Sequence, residues 1–92
     1  MIKSFKHKGL KKLHTNGDIS GVMQIHVKKL RNILARLDSA KIIQDINFPG
    51  SNLHQLTGCL KGQWSVKVSG NWRVFFEFKN GDAYIVDYDD YH

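Results

Sequence analysis

The sequence predicts an α+β fold in which two helices near the N-terminus pack against a small, mainly antiparallel β-sheet. Residues 63–88 contain three strand-like runs separated by turn residues, as an antiparallel meander requires. Residues 23–37 repeat apolar side chains at helical spacing, and residues 6–16 indicate a shorter, lysine-rich helix. With 92 residues the chain is long enough for one core and too short for two, so we expect a single domain over residues 1–92.

The first forty residues are expected to supply one strand and both helices. Residues 1–5 include two apolar side chains, and we predict an additional strand there. A basic helix over residues 6–16 would end at Gly17, because glycine readily takes the left-handed conformation that closes a helix. The second helix is amphipathic, with apolar positions spaced by four, three, four and three residues at Met23, Val27, Leu30, Leu34 and Leu37. This apolar face is expected to cover the sheet.

The turn Asn80-Gly81 predicts the register of the last hairpin. Both residues tolerate the positive φ of a type I′ turn, so a two-residue loop would place Lys79 opposite Asp82. Continued pairing along the two strands then places Arg73 opposite Tyr88.

The alternation of apolar residues indicates the length of the loop between the first two strands of the meander. A three-residue loop over 69–71 puts the apolar residues of both strands on one buried face and places Lys67 opposite Arg73. The other face would then carry a row of polar groups: Lys67, Arg73, Tyr88, Asp90 and His92. We therefore interpret the C-terminal residues as part of a site rather than as a frayed end.

The charge of the chain is positive and unevenly distributed. Fourteen Lys and Arg against eight Asp and Glu give a formal net charge of +6, and nine of the fourteen basic residues lie within the first forty positions. One end is thus expected to present a positive surface that meets a polyanion such as RNA. A lysine face that only improves solubility is the alternative interpretation.

Composition also excludes several classes of protein. The single cysteine, Cys59, cannot form an intrachain disulfide, which fits a reducing cytoplasm. No apolar run reaches the length of a transmembrane helix and the N-terminus lacks the pattern of a signal peptide, so we expect a cytoplasmic chain without a membrane partner. The five histidines have no convincing ligand spacing, and we expect neither a metal nor another cofactor.

Several motifs in the second half of the chain occur together in one order. They are Leu53-His54, the run Gly62–Val68, Asn71-Trp72-Arg73, the run Asn80–Tyr84 and the terminal Asp90-Tyr91-His92. In this combination they resemble the HigB toxins, which belong to the RelE/ParE superfamily of bacterial toxin–antitoxin systems. The resemblance covers nearly the whole chain, including its length, and is most specific in the second half.

The resemblance implies a function as well as two helices packed on a small antiparallel sheet. Such toxins are ribosome-dependent endoribonucleases, or mRNA interferases, which cut translated messenger RNA in the decoding site. The resemblance also implies five active-site residues: His54, Arg73, Asp90, Tyr91 and His92. One position departs from the pattern, since Thr57 stands where related toxins carry lysine, and Lys61 or Lys67 would have to supply that charge.

These residue types suit metal-free cleavage of RNA. The reaction needs a base for the 2′-hydroxyl proton, a cation for the crowded phosphate and an acid for the departing 5′-oxygen. Our hypothesis is that His54 and Asp90 share the role of general base and that His92 is the acid. Arg73 would stabilise the phosphorane, and Tyr91 would stack on or position a nucleobase. The product would be a 2′,3′-cyclic phosphate.

The implied partners are RNA and an antitoxin. Six lysines are expected to contact messenger or ribosomal RNA: Lys6, Lys8, Lys11, Lys12, Lys61 and Lys67. The resemblance implies binding to the 70S ribosome with its mRNA, and to a HigA-like antitoxin that contains a helix-turn-helix. DNA would be bound only indirectly, through the antitoxin complex. The toxin alone would be a monomer and would form a hetero-oligomer with its antitoxin.

Two other functions are also compatible with the sequence. A ParE-like toxin would inhibit DNA gyrase by binding, without ribonuclease activity. A non-catalytic RNA-binding or ribosome-binding protein would use only the lysines of the first forty residues. The terminal acid, phenol and imidazole, together with His54, favour the enzyme, because a protein that only binds has no need of such a cluster.

Overall fold

Two α-helices cover one face of a four-stranded antiparallel sheet in the residues that the computed structural model describes, 1–56 and 62–90, which confirms the predicted α+β class. The helices are α1 (Lys8–Asn16) and α2 (Val27–Ser39), with 3₁₀ turns at Gln24–His26 and Ile43–Ile46. The strands lie side by side in chain order: β1 (His54–Gln55), β2 (Gln63–Ser69), β3 (Trp72–Lys79) and β4 (Asp82–Asp90). No helix in the described ranges is long and apolar enough to cross a membrane.

Local sequence fixes both ends of α1. The imidazole Nδ1 of His7 accepts a hydrogen bond from the backbone N–H of Leu10 at 3.1 Å, which caps the N-terminus of the helix. At the other end Gly17 takes a φ of 71° and closes the helix, as predicted. Leu10 and Leu13 are buried, so α1 presents its apolar side to the core.

The second helix, α2, begins at Val27 rather than at Met23. The intervening residues Gln24–His26 form a separate 3₁₀ turn, and Met23 is 41% exposed instead of packed in the core. The apolar face of α2 is otherwise buried as predicted, at Leu30, Ile33, Leu34 and Leu37. These residues belong to one core with the helix-facing side of the sheet, where Phe76 is 1% exposed. Burial of this apolar surface is the main gain in free energy that holds the two layers together.

Two glycines allow α1 to pack against the loop that precedes α2. A Cβ atom added at Gly9 would lie 2.3 Å from the carbonyl oxygen of Gly21, and one added at Gly21 would lie 2.6 Å from the Cα of Gly9. No side chain fits between the two backbones at this distance, so both positions require glycine.

The first hairpin has the predicted register at its centre, with Lys67 opposite Arg73. Its connection is shorter than predicted, because Ser69 belongs to β2 and pairs with Trp72. The turn therefore consists of Gly70-Asn71 alone. A bulge between Lys67 and Ser69 accommodates the extra residue.

A bulge in β4 changes the register of the second hairpin. Near the turn the pairs are those predicted or implied by the two-residue loop: Lys79 with Asp82 and Glu77 with Tyr84. Ile85 has a φ of 48°, and beyond it the pairing shifts by one residue. Arg73 therefore lies opposite Asp89, and the prediction that it lies opposite Tyr88 is wrong.

The bulge turns Tyr88 toward the helices. Its side chain is 4% exposed, its ring lies 4.8 Å from that of Trp72, and its hydroxyl is hydrogen-bonded to Nδ1 of His26 at 2.5 Å. Asp90 pairs with Trp72 and so lies on the same helix-facing side. The prediction that Tyr88 and Asp90 share a face with Arg73 is wrong. The bulge adds one residue to β4, and every later side chain of the strand therefore points to the opposite face from the one predicted.

The N-terminal residues 1–5 lie beside β4 without forming the predicted strand. Isolated parallel bridges join the two segments: Ile2 with Ala83 and Phe5 with Val86. The hydroxyl of Ser4 accepts a hydrogen bond from the backbone N–H of Ile85 at 2.8 Å, which satisfies the donor exposed by the bulge. The fourth strand of the sheet is instead β1, at the opposite edge.

Gly9→Ala should destabilise the fold even though alanine is the better helix former. The added Cβ would meet the backbone of Gly21 at 2.3 Å, so overpacking should lower the free energy of unfolding by about 1–3 kcal/mol. Thermal unfolding followed by circular dichroism measures the change. Thr15→Ala, at an exposed position of the same helix, is the control and should leave the midpoint unchanged or slightly higher. A midpoint for Gly9→Ala equal to that of the wild type would contradict the close approach.

Candidate active site

A cleft of about 440 Å³ opens beside β1 and joins two of the predicted catalytic residues. The residues that line it are Asn52, Leu53, His54, Leu56, Ser65 and Arg73. Ser65 and Arg73 alternate along their strands with residues of the core. They therefore belong to the sheet face that points away from α1 and α2, which we call the outer face.

Residues 51–56 form one wall of the cleft because they are attached to the edge of β2. Backbone hydrogen bonds fix the segment at both ends: Lys67 N–H to the carbonyl of Ser51 at 2.7 Å, and Leu56 N–H to the carbonyl of Gln63 at 2.9 Å. Between these points His54 pairs with Ser65. The φ of Asn52, 46°, bends the chain just before His54. The position of the imidazole is thus set by the register of β1 on β2.

The guanidinium of Arg73 forms the opposite part of the cleft. Its Nη1 donates hydrogen bonds to Oγ of Ser65 at 3.2 Å and to the carbonyl oxygen of Asn52 at 3.5 Å. Both acceptors are neutral, and no carboxylate of the described residues lies within ion-pair distance of Arg73. The positive charge is therefore directed into the cleft and is available to an anionic group of a ligand.

A row of charged residues crosses the outer face next to the cleft. Lys67 on β2 lies opposite Arg73 on β3, and Arg73 lies opposite Asp89 on β4. Two cations in directly opposite positions repel each other, and a phosphate bound between them would relieve that repulsion. Lys67 is half-buried, and the pairing of β2 with β3 fixes its backbone position beside Arg73.

His54 is exposed and lines the cleft, whereas the other three histidines of the described residues lie outside it. His7 caps α1, His14 lies near the end of the same helix, and His26 is buried against Tyr88. An exposed imidazole can exchange protons with a substrate near neutral pH. His54 is therefore the histidine among residues 1–56 and 62–90 that is placed for acid–base chemistry.

Tyr88 anchors β4 to the helical layer instead of contributing to the site. Its ring contacts those of Trp72 and His26, and burial raises the pKa of its phenol above the ordinary value of 10.0. The phenol thus stays protonated at neutral pH and serves as a hydrogen-bonding group in the core.

The remaining predicted catalytic residues lie at the C-terminus. Asp90 is on the helix-facing side of β4, not beside Arg73, and its catalytic role stays a prediction. Tyr91 and His92 lie outside the described residues. So do Lys61, predicted to contact RNA, and Thr57, the position that departs from the family pattern.

The four lysines near the N-terminus that were predicted to contact RNA are exposed, and none of them lines the cleft. Lys8, Lys11 and Lys12 belong to α1, and none of them lines the space between His54 and Arg73. Lys6 is also exposed and lies 4.0 Å from the carboxylate of Asp87. The three lysines of α1 can contribute to binding a polyanion over a wider surface, whereas Lys6 lines a neighbouring depression that shares Leu56 with the cleft.

The lining of the cleft offers groups that are suited to acid–base chemistry. Within residues 1–56 and 62–90, no group of three or more His, Cys, Asp or Glu side chains is placed to hold a metal ion. The cleft instead combines one imidazole with one guanidinium. Such a pair can take a proton from a hydroxyl and stabilise a phosphate in its transition state.

Ser65, which lines the cleft, and Asp89, which lies beside it without lining it, were not singled out from the sequence. Ser65 could have been found, because the alternation of β2 places it on the same face as Lys67. Asp89 depends on the bulge at Ile85, for which the sequence offers only a break in alternation. Its carboxylate oxygen also accepts the backbone N–H of the next residue at 2.8 Å.

Comparison with known proteins identifies the family of the chain. A family model described as HigB-like toxin, the RelE-like toxin of the type II toxin–antitoxin system HigB, matches residues 3–92. A protein named Endoribonuclease HigB from Proteus vulgaris is 49% identical over 92 residues, which covers 100% of both chains. The resemblance drawn from the sequence motifs is thereby confirmed. The chain belongs to the HigB-like family of RelE-like toxins of type II toxin–antitoxin systems.

Proposed function

We propose that the chain is a ribosome-dependent endoribonuclease, an mRNA interferase that cleaves translated messenger RNA without a metal and thereby inhibits translation and growth. The observation that carries the proposal is the cleft in which an exposed imidazole, His54, lies with an un-neutralised guanidinium, Arg73. The name of the Proteus vulgaris relative, an endoribonuclease of equal length, supports the same chemistry.

In this proposal His54 acts as the general base. It takes the proton of a ribose 2′-hydroxyl, and the 2′-oxygen attacks the adjacent phosphorus. Arg73, assisted by Lys67, stabilises the charge on the equatorial oxygens of the phosphorane. The bond from phosphorus to the 5′-oxygen then breaks, which leaves a 2′,3′-cyclic phosphate on one fragment and a 5′-hydroxyl on the other.

The C-terminal residues complete the proposed site. His92 supplies the proton to the departing 5′-oxygen, and Tyr91 stacks on or orients a nucleobase. Asp90 acts with them from the end of β4. Since Asp90 lies on the helix-facing side, we assign the role of base to His54 alone rather than to the pair.

The exposed lysines are proposed to bind ribosomal RNA. Lys8, Lys11 and Lys12 form a basic surface on α1 outside the catalytic cleft, and Lys6 lies just before the helix, beside a depression that adjoins the cleft. Lysine contacts to phosphates release condensed counterions, so such a surface increases affinity for the 70S ribosome without taking part in the reaction. Lys61 is proposed to join Lys67 in contacting messenger RNA.

A type II system pairs each toxin with an antitoxin, so the family implies an antitoxin partner. We propose that this partner is a HigA-like protein with a helix-turn-helix and that toxin and antitoxin form a hetero-oligomer in the cytoplasm. Contact with DNA would then be made by the antitoxin, while the free toxin acts as a monomer.

Arg73→Ala and His54→Gln should each abolish growth inhibition. Loss of the phosphorane-stabilising cation should slow cleavage about 10²–10³-fold, and loss of the base about 10²–10⁴-fold. Primer extension on messages from cells that express each variant maps the cuts and gives their relative rates. The matched controls are Lys79→Ala, which removes an exposed cation from the same strand as Arg73, and His14→Gln.

The two controls should cut messages like the wild type. Wild-type cutting by Arg73→Ala or His54→Gln would remove these residues from the site. Intact messages accompanied by DNA damage in cells that express the wild-type chain would instead favour gyrase inhibition.

Ribosome association should fall steeply as salt concentration rises. Replacing Lys8, Lys11 and Lys12 together by alanine should reduce the slope of log K against log salt by about 2–3, since each phosphate contact contributes about 0.7–0.9. Sedimentation with ribosomes over a series of salt concentrations measures the slope. The control replaces three other exposed lysines, Lys3, Lys41 and Lys79, and lowers net charge equally. Equal slopes for the two triple variants would contradict a specific role for α1.

A further inference from the structure

We propose that Ser65 is a positioning residue whose buried hydroxyl keeps the guanidinium of Arg73 directed toward the His54 cleft and away from the carboxylate of Asp89. The inference rests on the proposed function, because it concerns the orientation of the group that stabilises the transition state. The orientation of the Arg73 side chain by Ser65 can be tested without any cleavage.

Ser65 occupies a position where an unbonded polar side chain would be costly. It lies in the middle of β2, is 1% exposed, and pairs with His54 on one side and Phe75 on the other. A hydroxyl buried without a hydrogen bond loses its water partners and gains nothing in return. Arg73 supplies the bond, since its Nη1 donates to the Ser65 Oγ at 3.2 Å. Hydroxyl and guanidinium therefore stabilise each other in one geometry.

A carboxylate competes for the same guanidinium. Asp89 lies directly opposite Arg73 on the outer face, and opposite charges in such positions attract each other. In the described part of the chain, however, no ion pair joins the two residues. The hydrogen bonds of Arg73 go to Ser65 and to the carbonyl of Asn52, both on the side of β1 and β2. The neutral acceptors thus direct the side chain toward the cleft.

The neutrality of these acceptors preserves the function of Arg73. A guanidinium paired with Asp89 would be turned away from His54 and its charge would be compensated before a phosphate arrives. Without the Ser65 hydroxyl, only the longer contact of 3.5 Å to Asn52 would oppose that pairing. The chemical step should then slow, while RNA binding, which is spread over several lysines, should change little.

The test compares Ser65→Ala, Asp89→Asn and the double variant in cleavage of a message on purified programmed ribosomes. Ser65→Ala should lower kcat about 10-fold with KM changed less than about 2-fold, the pattern of a lost transition-state interaction. Asp89→Asn alone should cut like the wild type. In the double variant the competing charge is absent, so kcat should return to within about 3-fold of wild type. Such non-additive effects are shown only by residues that are energetically coupled. Wild-type kcat for Ser65→Ala, or no recovery in the double variant, would overturn the proposal.

A matched pair of substitutions separates the hydroxyl from packing. Ser65→Thr and Ser65→Val add nearly the same shape to the buried site, but only threonine keeps the hydroxyl. Ser65→Thr should retain several-fold more activity than Ser65→Val at equal thermal stability. Equal activities in the two variants would contradict the proposal, even where Ser65→Ala does not fold.

The Nε–Hε signal of Arg73 in ¹⁵N NMR spectra gives a readout that does not depend on cleavage. It should shift in Ser65→Ala and return toward its wild-type position in the double variant, and its loss in Arg73→Lys assigns it. An unchanged signal in Ser65→Ala would overturn the positioning role. If the wild-type chain cuts no message while the signal behaves as expected, the proposed function fails and the placement of Arg73 by Ser65 stands.

Discussion

The pairing of β2 with both of its neighbours is the interaction on which the site depends. On one edge Ser65 pairs with His54, and on the other Lys67 pairs with Arg73. Since hydrogen-bonded strands lie only about 4.8 Å apart, this double register brings an imidazole and a guanidinium from distant parts of the sequence to one cleft. A slip of one residue would move the polar residues into the core and the valines of β2 into solvent, so the hydrophobic core itself enforces the geometry of the site.

The distribution of charge at the site also follows from the strand pairing. The outer face places two cations in opposite positions, a costly arrangement for a structure that serves stability alone. Within residues 1–56 and 62–90, Arg73 is held by neutral oxygens and by no carboxylate, so these residues orient its charge without cancelling it. The more exposed lysines of α1 are placed where they can increase affinity for a polyanion. The charges proposed to bind RNA and those proposed to act in catalysis are therefore carried by different layers of the fold.

Structural features that depend on neighbouring residues could be predicted from the sequence. The helix faces follow from apolar spacing, and the turn at Asn80-Gly81 follows from backbone preferences. The bulge at Ile85 could not be predicted, because its exposed N–H is satisfied by Ser4, more than eighty residues earlier in the chain. That single residue decides that Asp89, and not Tyr88, lies opposite Arg73. The two-residue strand that carries His54 is too short to show alternation, so His54 was found through the family resemblance rather than from its pattern.

In the proposed reaction, the ribose 2′-hydroxyl of ribosome-bound RNA attacks the adjacent phosphate within the cleft. Identifying the chemical ends of the cleaved message tests this reaction most directly. Purified toxin would be added to ribosomes programmed with a message that carries either ribose or 2′-deoxyribose at the scissile nucleotide, and the fragments would be analysed by mass spectrometry. We expect a 2′,3′-cyclic phosphate and a 5′-hydroxyl from the ribose message, and no cleavage of the 2′-deoxy message. Cleavage of the 2′-deoxy message, or a 3′-hydroxyl with a 5′-phosphate, would contradict it.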